Sequence, residues 1–422
     1  MENAPRRGSL LVVFLTVFID LLGFGMVLPL LPIYAKQFAA QAQSPPSEAA
    51  VGLMIGLLMA SFSAMQFLFA PLWGRLSDRI GRRPVLMIGL AGSMVFYALF
   101  GMATTWKSIA WLFVARLGAG IAGATIATAQ AYIADSTSQQ GRTKGMALIG
   151  AAFGLGFTFG PLIGAAGFLT TGAVQLSPLP GYIASGLSAG ALLLAYFKLP
   201  ESLTPDSRPA QQRLLDLAAL RAALAVPTVG LLLLTSFITV FSFANFESTI
   251  SLLLKSKTNA GGFDFDTRQV FYVFAFIGLV LSVSQGFLVR RLAGRIPDGT
   301  LAAIGAVVSM AGFVMLAFAS RQGSGALLLV GLAIEVIGFS FVTPSVNALI
   351  SRRSDPRRQG AILGVVQSAS ALARIVGPVF GNILLPISAA LPYWAATALM
   401  IGGLLMILIA ARGGGDFAAQ DV

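Results

Sequence analysis

Trp73-Gly74-Arg75-Leu76-Ser77-Asp78-Arg79-Ile80-Gly81-Arg82-Arg83-Pro84 sets four arginines and one acid between two apolar runs, Ala49 to Trp73 and Pro84 to Trp106. Each run is long enough to cross a bilayer, which takes about 20 apolar residues in a helix. The stretch therefore reads as a short charged loop joining two membrane helices. Gly74 and Gly81 permit a tight turn there, and Arg75, Arg79, Arg82 and Arg83 hold it on the cytoplasmic side. Asp78 is the one acid among them. On the residues alone, two readings of it stand: it balances the arginines, or it makes a contact of its own.

The rest of the chain agrees with a membrane setting. Of its 422 residues 56% are hydrophobic and 10% charged, with a mean hydropathy of +0.84; a soluble domain carries about 25% charged residues. The net charge is +12. These positives gather at helix ends instead of on one face, which fits loop placement in a membrane protein and not nucleic-acid binding. Cysteine and histidine are both absent, so disulfides are excluded and any proton handled here must pass through carboxylates.

Arg6 and Arg7 precede an apolar run from Leu10 to Tyr34 that holds Asp20 at its middle and has no small-residue cleavage site, so it reads as helix 1 and not as a signal peptide. Pro29 and Pro32 should bend its outer end. Further spans fall at about 49–73, 84–104, 108–133, 145–170, 181–199, 226–254, 268–289, 299–320, 325–349, 360–386 and 391–411, making twelve. With the N-terminus inside, the inner segments hold 20 of the 28 Lys and Arg and the outer ones six, while Arg116 and Arg374 lie within helices. Both termini are therefore expected in the cytoplasm. The Pro- and charge-rich stretch 200–225 divides the chain into a first six-helix bundle, 1–199, and a second, 226–422, ending in a short tail. The halves echo each other: Arg75 to Ile80 aligns with Arg291 to Ile296 at a shift of 216, and Gly160-Pro161-Leu162-Ile163-Gly164 with Gly377-Pro378-Val379-Phe380-Gly381 at 217. Asp78 has become Gly294 in the second copy, so whatever Asp78 does should be one-sided.

The run Gly74 to Arg83 matches in full the loop between the second and third helices of the major facilitator superfamily. That resemblance implies an all-α membrane protein with two pseudo-symmetric bundles of six helices. It also implies a role for Asp78 as a gate latch that closes the cytoplasmic side against a neighbouring helix end. Gly74, Arg79, Gly81, Arg82 and Arg83 belong to the same gate, and Asp135 and Arg142, flanking the inner loop after helix 4, could join it.

Five charges lie within expected helices, where each costs about 2.5–3.5 kcal/mol at mid-depth on insertion scales. They are Asp20 in helix 1, Arg116 in helix 4, Glu247 in helix 7, Glu335 in helix 10 and Arg374 in helix 11. In the superfamily fold, helices 1, 4, 7 and 10 line the central cavity. The stretch Asp20-Leu21-Leu22-Gly23-Phe24-Gly25 resembles the first helix of tetracycline-type drug:proton antiporters, and Arg116 to Asp135 resembles their fourth. The resemblance implies that Asp20 couples a proton, with Arg116 assisting its transfer; a fixed ion pair is the structural alternative. Glu335 is the best acid in the second half, and Arg374 either pairs with it or serves transport. Glu247 either contacts substrate or reaches the outer interface. Gly154, Gly156, Gly160, Pro161 and Gly164 in helix 5 match a signature of antiporters within the superfamily, and physically they would permit close helix packing and a bent path.

One departure from the tetracycline branch stands out. That branch has acids in helices 3 and 9, whereas Pro84 to Thr105 and Thr300 to Ser320 contain none. The expected function is secondary active transport by alternating access, coupling proton movement to export of a small amphiphilic compound. The alternative is a facilitator or symporter of a sugar or organic anion. A receptor or scaffold is disfavoured by short loops, and an enzyme by the lack of metal ligands, phosphate loop or nucleophile motif. The partners expected are a small-molecule substrate and the lipid of the cell's inner membrane, with no nucleic acid, no cofactor, the proton gradient as energy source and a monomeric state.

Overall fold

The computed structural model describes residues 7–27, 31, 34, 38, 48–138, 140–169, 177–203, 227–256, 262–265, 267–385 and 387–413. The order is α1 (Arg7–Val27), α2 (Glu48–Ile80), α3 (Arg82–Thr105), α4 in two pieces (Ile109–Gly123 and Ile126–Asp135), α5 (Arg142–Leu169) and α6 (Leu179–Lys198). The second half repeats it with α7 (Pro227–Lys255), α8 (Thr267–Val283, continued by a π-helical turn Ser284–Val289 and Arg290–Leu292), α9 (Asp298–Gln322), α10 (Gly325–Arg352), α11 (Gln359–Leu384) and α12 (Leu391–Gly413). Among the described residues, eleven helices are long and apolar enough to cross a membrane. The 28-residue α5 takes the fifth place in the order, and the whole is an all-α fold of two pseudo-symmetric six-helix bundles.

Two features differ from the sequence expectation, and a third falls outside the described residues. First, most of the expected loop at 74–83 is helix: α2 runs for 33 residues to Ile80, about 50 Å at 1.5 Å per residue against a hydrocarbon core of about 30 Å. The arginines do not end the helix, because a helix satisfies its own backbone wherever it emerges from lipid. Gly74 is therefore helical, and the chain turns at Gly81, whose φ is +110°. Second, the expected span 108–133 is interrupted at Ala124 and Thr125. The carbonyls near the break are taken up from α2, with Trp73 Nε1 donating to Ile121 O at 2.7 Å and Gln66 Nε2 to Gly123 O at 3.3 Å. Irregular backbone at membrane depth persists where such partners cover it. Third, the expected bend at Pro29 and Pro32 lies outside the described residues, as does the linker beyond Leu203.

Within the first bundle α1 packs on α5 and α6, and α3 on α4 and α6; within the second, α9 packs on α10 and α12, and α7 on α11 and α12. The halves meet along two seams, α2 against α11 and α5 against α8. In lipid there is no hydrophobic drive between helices, so close approach rests on small residues. Gly74 lies against Gly360, and Gly364 against Ala70 and Pro71.

Candidate functional site at the seam and the intramembrane charges

The arginine-rich end of the seam is tied by Asp78. Its carboxylate is 2% exposed and accepts the backbone N–H of Gly360 at 2.9 Å and of Ala361 at 2.8 Å. These are the second and third residues of α11, where N–H groups lack intrahelical partners and the helix dipole is positive. Asp78 thus spans the two bundles through a helix end. Arg82, fully buried, ion-pairs with Asp78 and with Asp135 at 2.9 Å, and donates to Ser77 Oγ at 2.8 Å. The next arginine is held differently, Arg83 Nη2 donating to Tyr196 O at 2.6 Å. Arg142 Nη2 donates to Ala134 O at 3.1 Å, next in the chain to Asp135, and Arg79 is exposed.

Glu201, at the start of the linker, caps α3 by accepting Arg82 N at 2.8 Å and Arg83 N at 3.1 Å. Nothing in the sequence pattern singled it out, since its place over α3 is set by the path of α6. A Cβ on Gly81 would meet the Glu201 carboxylate, and its φ +110°, ψ 159° region is open to glycine almost alone. Gly81→Ala should accordingly cost about 1–3 kcal/mol, read as a lower melting temperature of the purified protein.

Farther from this end, Ser368 Oγ donates to Phe67 O at 2.6 Å, Gln367 Nε2 to Gln130 Oε1 at 3.2 Å and Arg374 Nη2 to Gln66 Oε1 at 3.1 Å, all between bundles. The other seam uses the helix-5 glycines. Gly154 lies against Ser282 and Gly278 of α8, while Gly156 and Gly160 face Leu21 and Gly25 of α1. One helix thus touches the opposite bundle with one face and the helix carrying Asp20 with another. Its backbone is helical through Pro161 and Gly164, whose side-chain surroundings lie outside the described set.

The intramembrane charges fall into two groups. In the first bundle Asp20 accepts a hydrogen bond from Ser188 Oγ of α6 at 3.1 Å and lies beside Ser93 of α3. It is not bonded to Arg116. That guanidinium, 2% exposed, lies over the rings of Phe62 at 4.5 Å and Phe24 at 5.8 Å, and its Nε and Nη1 have no hydrogen-bond partner. Such cation–π contacts hold a desolvated cation by about 2 kcal/mol. Tyr97 of α3 is within electrostatic reach of both charges.

In the second bundle Arg374 is within electrostatic reach of Glu247 of α7, and its hydrogen bond goes to Gln66 of α2. Of the two readings of Arg374, the pairing with Glu335 is not formed, because α11 turns that side chain toward α2. Glu335 is fully buried, beside Ser309 and Glu247, and neither carboxyl oxygen has a hydrogen-bond partner. There α10 packs so closely on α9 that a Cβ on Gly312 would meet the Glu335 backbone. Gln66, Tyr97 and Ser188 escaped the sequence reading; only Gln66, an amide deep in an apolar run, left a visible signal.

Comparisons with known proteins agree with this architecture. Residues 13–378 match the family model of the Major Facilitator Superfamily. The chain is 32% identical over 440 residues to Major facilitator superfamily domain-containing protein 10 of Bos taurus, covering 94% of this chain and 90% of that one. It is 31% identical over 404 residues to the class C tetracycline resistance protein of Escherichia coli, covering 95% of each. Among solved structures, the human organic anion transporter MFSD10 (TETRAN) superposes with a TM-score of 0.81 at 28% identity, over 96% of this chain and 99% of the other. The proton:xylose symporter XylE shares the fold at a TM-score of 0.73 and 17% identity, over 97% of this chain and 96% of the other. With its twelve-helix order, its Asp78 loop and a family match over most of its length, this multi-pass membrane protein belongs to the major facilitator superfamily of transporters.

Proposed function

We propose that this protein exports small amphiphilic organic compounds in exchange for protons, its two bundles rocking about a mid-depth site. The observation that carries this reading is the separation of Asp20 from Arg116. Two opposite charges in one bundle are held by Ser188 and by aromatic faces instead of by each other. A fixed ion pair would neutralise both for good, whereas a separated acid can release and regain a proton as its surroundings rearrange. The α5 glycines, packed on α1 and α8 at once, carry that rearrangement to the seam. Glu335, buried without a hydrogen-bond partner, is the acid that this reading assigns to the second bundle, on the helix that answers to α4 in the repeat.

In this reading the arginine-rich end is cytoplasmic, both termini lie inside, and Asp78, Arg82 and Asp135 close that side. The membrane is the cell's inner membrane, the energy source is the proton gradient, and the protein acts as a monomer without a cofactor or chemical catalysis. The likeness to tetracycline resistance proteins supports export. A second reading, transport of organic anions without proton coupling, is favoured by the likeness to MFSD10 and by Arg374, a cation on the seam beside Gln66.

The deciding experiment uses purified protein in sealed vesicles with an imposed proton gradient, following luminal pH as lipophilic cations, zwitterions and anions are added in turn. Export predicts substrate-dependent proton flux that falls severalfold in Asp20→Asn, with substrate exchange at equal pH retained. Substrate movement without proton flux, lost on Arg374→Gln instead, would replace it with the anion reading.

A further inference from the structure

The repeat that relates the two bundles puts Asp298 where the first bundle has Arg82, 216 positions earlier, and Arg352 where it has Asp135, 217 positions earlier. Arg82 and Asp298 are the first residues of α3 and α9, and Asp135 and Arg352 the last residues of α4 and α10. In the first bundle the helix-start arginine pairs with the helix-end acid at 2.9 Å. In the second the helix-start acid pairs with the helix-end arginine, Arg352 Nη1 to Asp298 Oδ2 at 2.7 Å. The ion pair is kept and its polarity is reversed.

The reversal has a consequence for the seam. In the first bundle a separate acid, Asp78, reaches the start of α11, and its equivalent in the second bundle is Gly294. Yet Asp298 reaches across on its own, its Oδ1 accepting a hydrogen bond from Thr143 Oγ1 at 2.5 Å. Thr143 is the second residue of α5, as Gly360 is of α11, 217 positions on. Each bundle therefore sets a buried carboxylate at the first turn of a helix in the other, Asp78 accepting backbone N–H groups and Asp298 a threonine hydroxyl. The position equivalent to Asp78 is Gly294, as the repeat register requires, and the acid that reaches the other bundle here is Asp298 of the neighbouring reversed pair.

We propose that Asp298, held by Arg352 and gripped by Thr143, is a second lock on the arginine-rich side, acting with Asp78 to keep that side closed. The proposal rests on the alternating-access reading above. Asp298 also stands in the first turn of α9, and an ion pair that merely finishes that helix would not need Thr143. The two roles therefore separate at the threonine.

The chain has no cysteine, so one introduced thiol reports on the seam. Ala147 of α5 is fully buried against Val289, Ala293, Leu301 and Phe341 of the second bundle, and Ala147→Cys becomes alkylable only when the bundles part there. In protein reconstituted into vesicles, Thr143→Val in this background should raise the alkylation rate roughly tenfold, as expected for loss of a hydrogen bond to a charged group, while Thr143→Ser leaves it unchanged. The exchange Asp298→Arg with Arg352→Asp restores the ion pair with the polarity of the first bundle but removes the carboxylate from Thr143; it too should raise the rate. A Thr143→Val rate equal to the parent's, or an exchanged pair behaving as the parent does, overturns the lock and leaves a helix cap. Thr143→Val changes a single hydroxyl and tests the proposal even where the exchanged pair fails to fold. A parent thiol whose rate never responds to a proton gradient or to transported compound would instead count against alternating access itself.

Discussion

Asp78→Ala should shift the protein out of its closed form by about 1.5–3 kcal/mol, the worth of hydrogen bonds to a charged group across the seam, which is roughly tenfold to a hundredfold in the ratio of closed to open, and should lower the stability of the first bundle besides. Two losses combine. The N–H groups of Gly360 and Ala361 lose the carboxylate they share, and Arg82, fully buried, keeps only Asp135 as an ionic partner. The first loss opens the seam and the second strains the bundle that stays behind. They are distinguishable by experiment: a thiol at Ala147 reports opening, and the melting temperature reports the bundle. Asp78→Asn retains the shape and one accepting oxygen but not the charge, so it should melt between the Ala variant and the parent and still label faster than the parent. An unchanged labelling rate in both variants would mean that the helix-end contact does not govern closure, leaving the arginines with a purely topological role.

The second large effect is steric. A Cβ at Gly74 would sit on the carbonyl oxygen of Gly360, and one at Gly360 on the carbonyl of Gly74 and the Ser77 hydroxyl. Both obstacles include backbone atoms on long helices, so relief requires α2 and α11 to separate. Gly74→Leu should therefore destabilise the closed seam by about 3 kcal/mol, the upper range for overpacking. Transport would fall accordingly, with the thiol at Ala147 exposed even without substrate. Gly56, on the same helix but with nothing near its Cβ, is the control: Gly56→Ala should transport as the parent does. Equal behaviour of the two variants would show that the glycine contact is incidental to closure.

Both effects arise from the stretch that first identified the fold, yet the sequence and the structure assign its residues differently. Trp73 to Pro84 revealed a membrane protein with repeated halves because hydrophobic length and arginine placement are one-dimensional properties, set by the bilayer and not by tertiary contacts. The same holds for the shift of 216 to 217 between the halves and for the five charges in apolar runs. Such features survive without knowledge of what packs against what.

What each charge touches did not follow from the same reading. Gly74 was read as a turn residue and is a packing residue, because the helix continues through it and meets Gly360 of the other bundle. Whether Arg374 pairs with Glu335 is open in the sequence, and the rotation of α11 decides it by sending the guanidinium to Gln66, 308 residues away in the chain. Asp298 drew no attention as a residue at a span edge, although the repeat register pointed to it through Arg82. The sequence by itself determined which segments cross the membrane, how the two bundles correspond and where ionisable groups lie. Only the tertiary structure decided which pairs form, because ion pairs and glycine contacts depend on helix rotation and on the meeting of α2 with α11 and α5 with α8. Neither quantity is periodic in the chain.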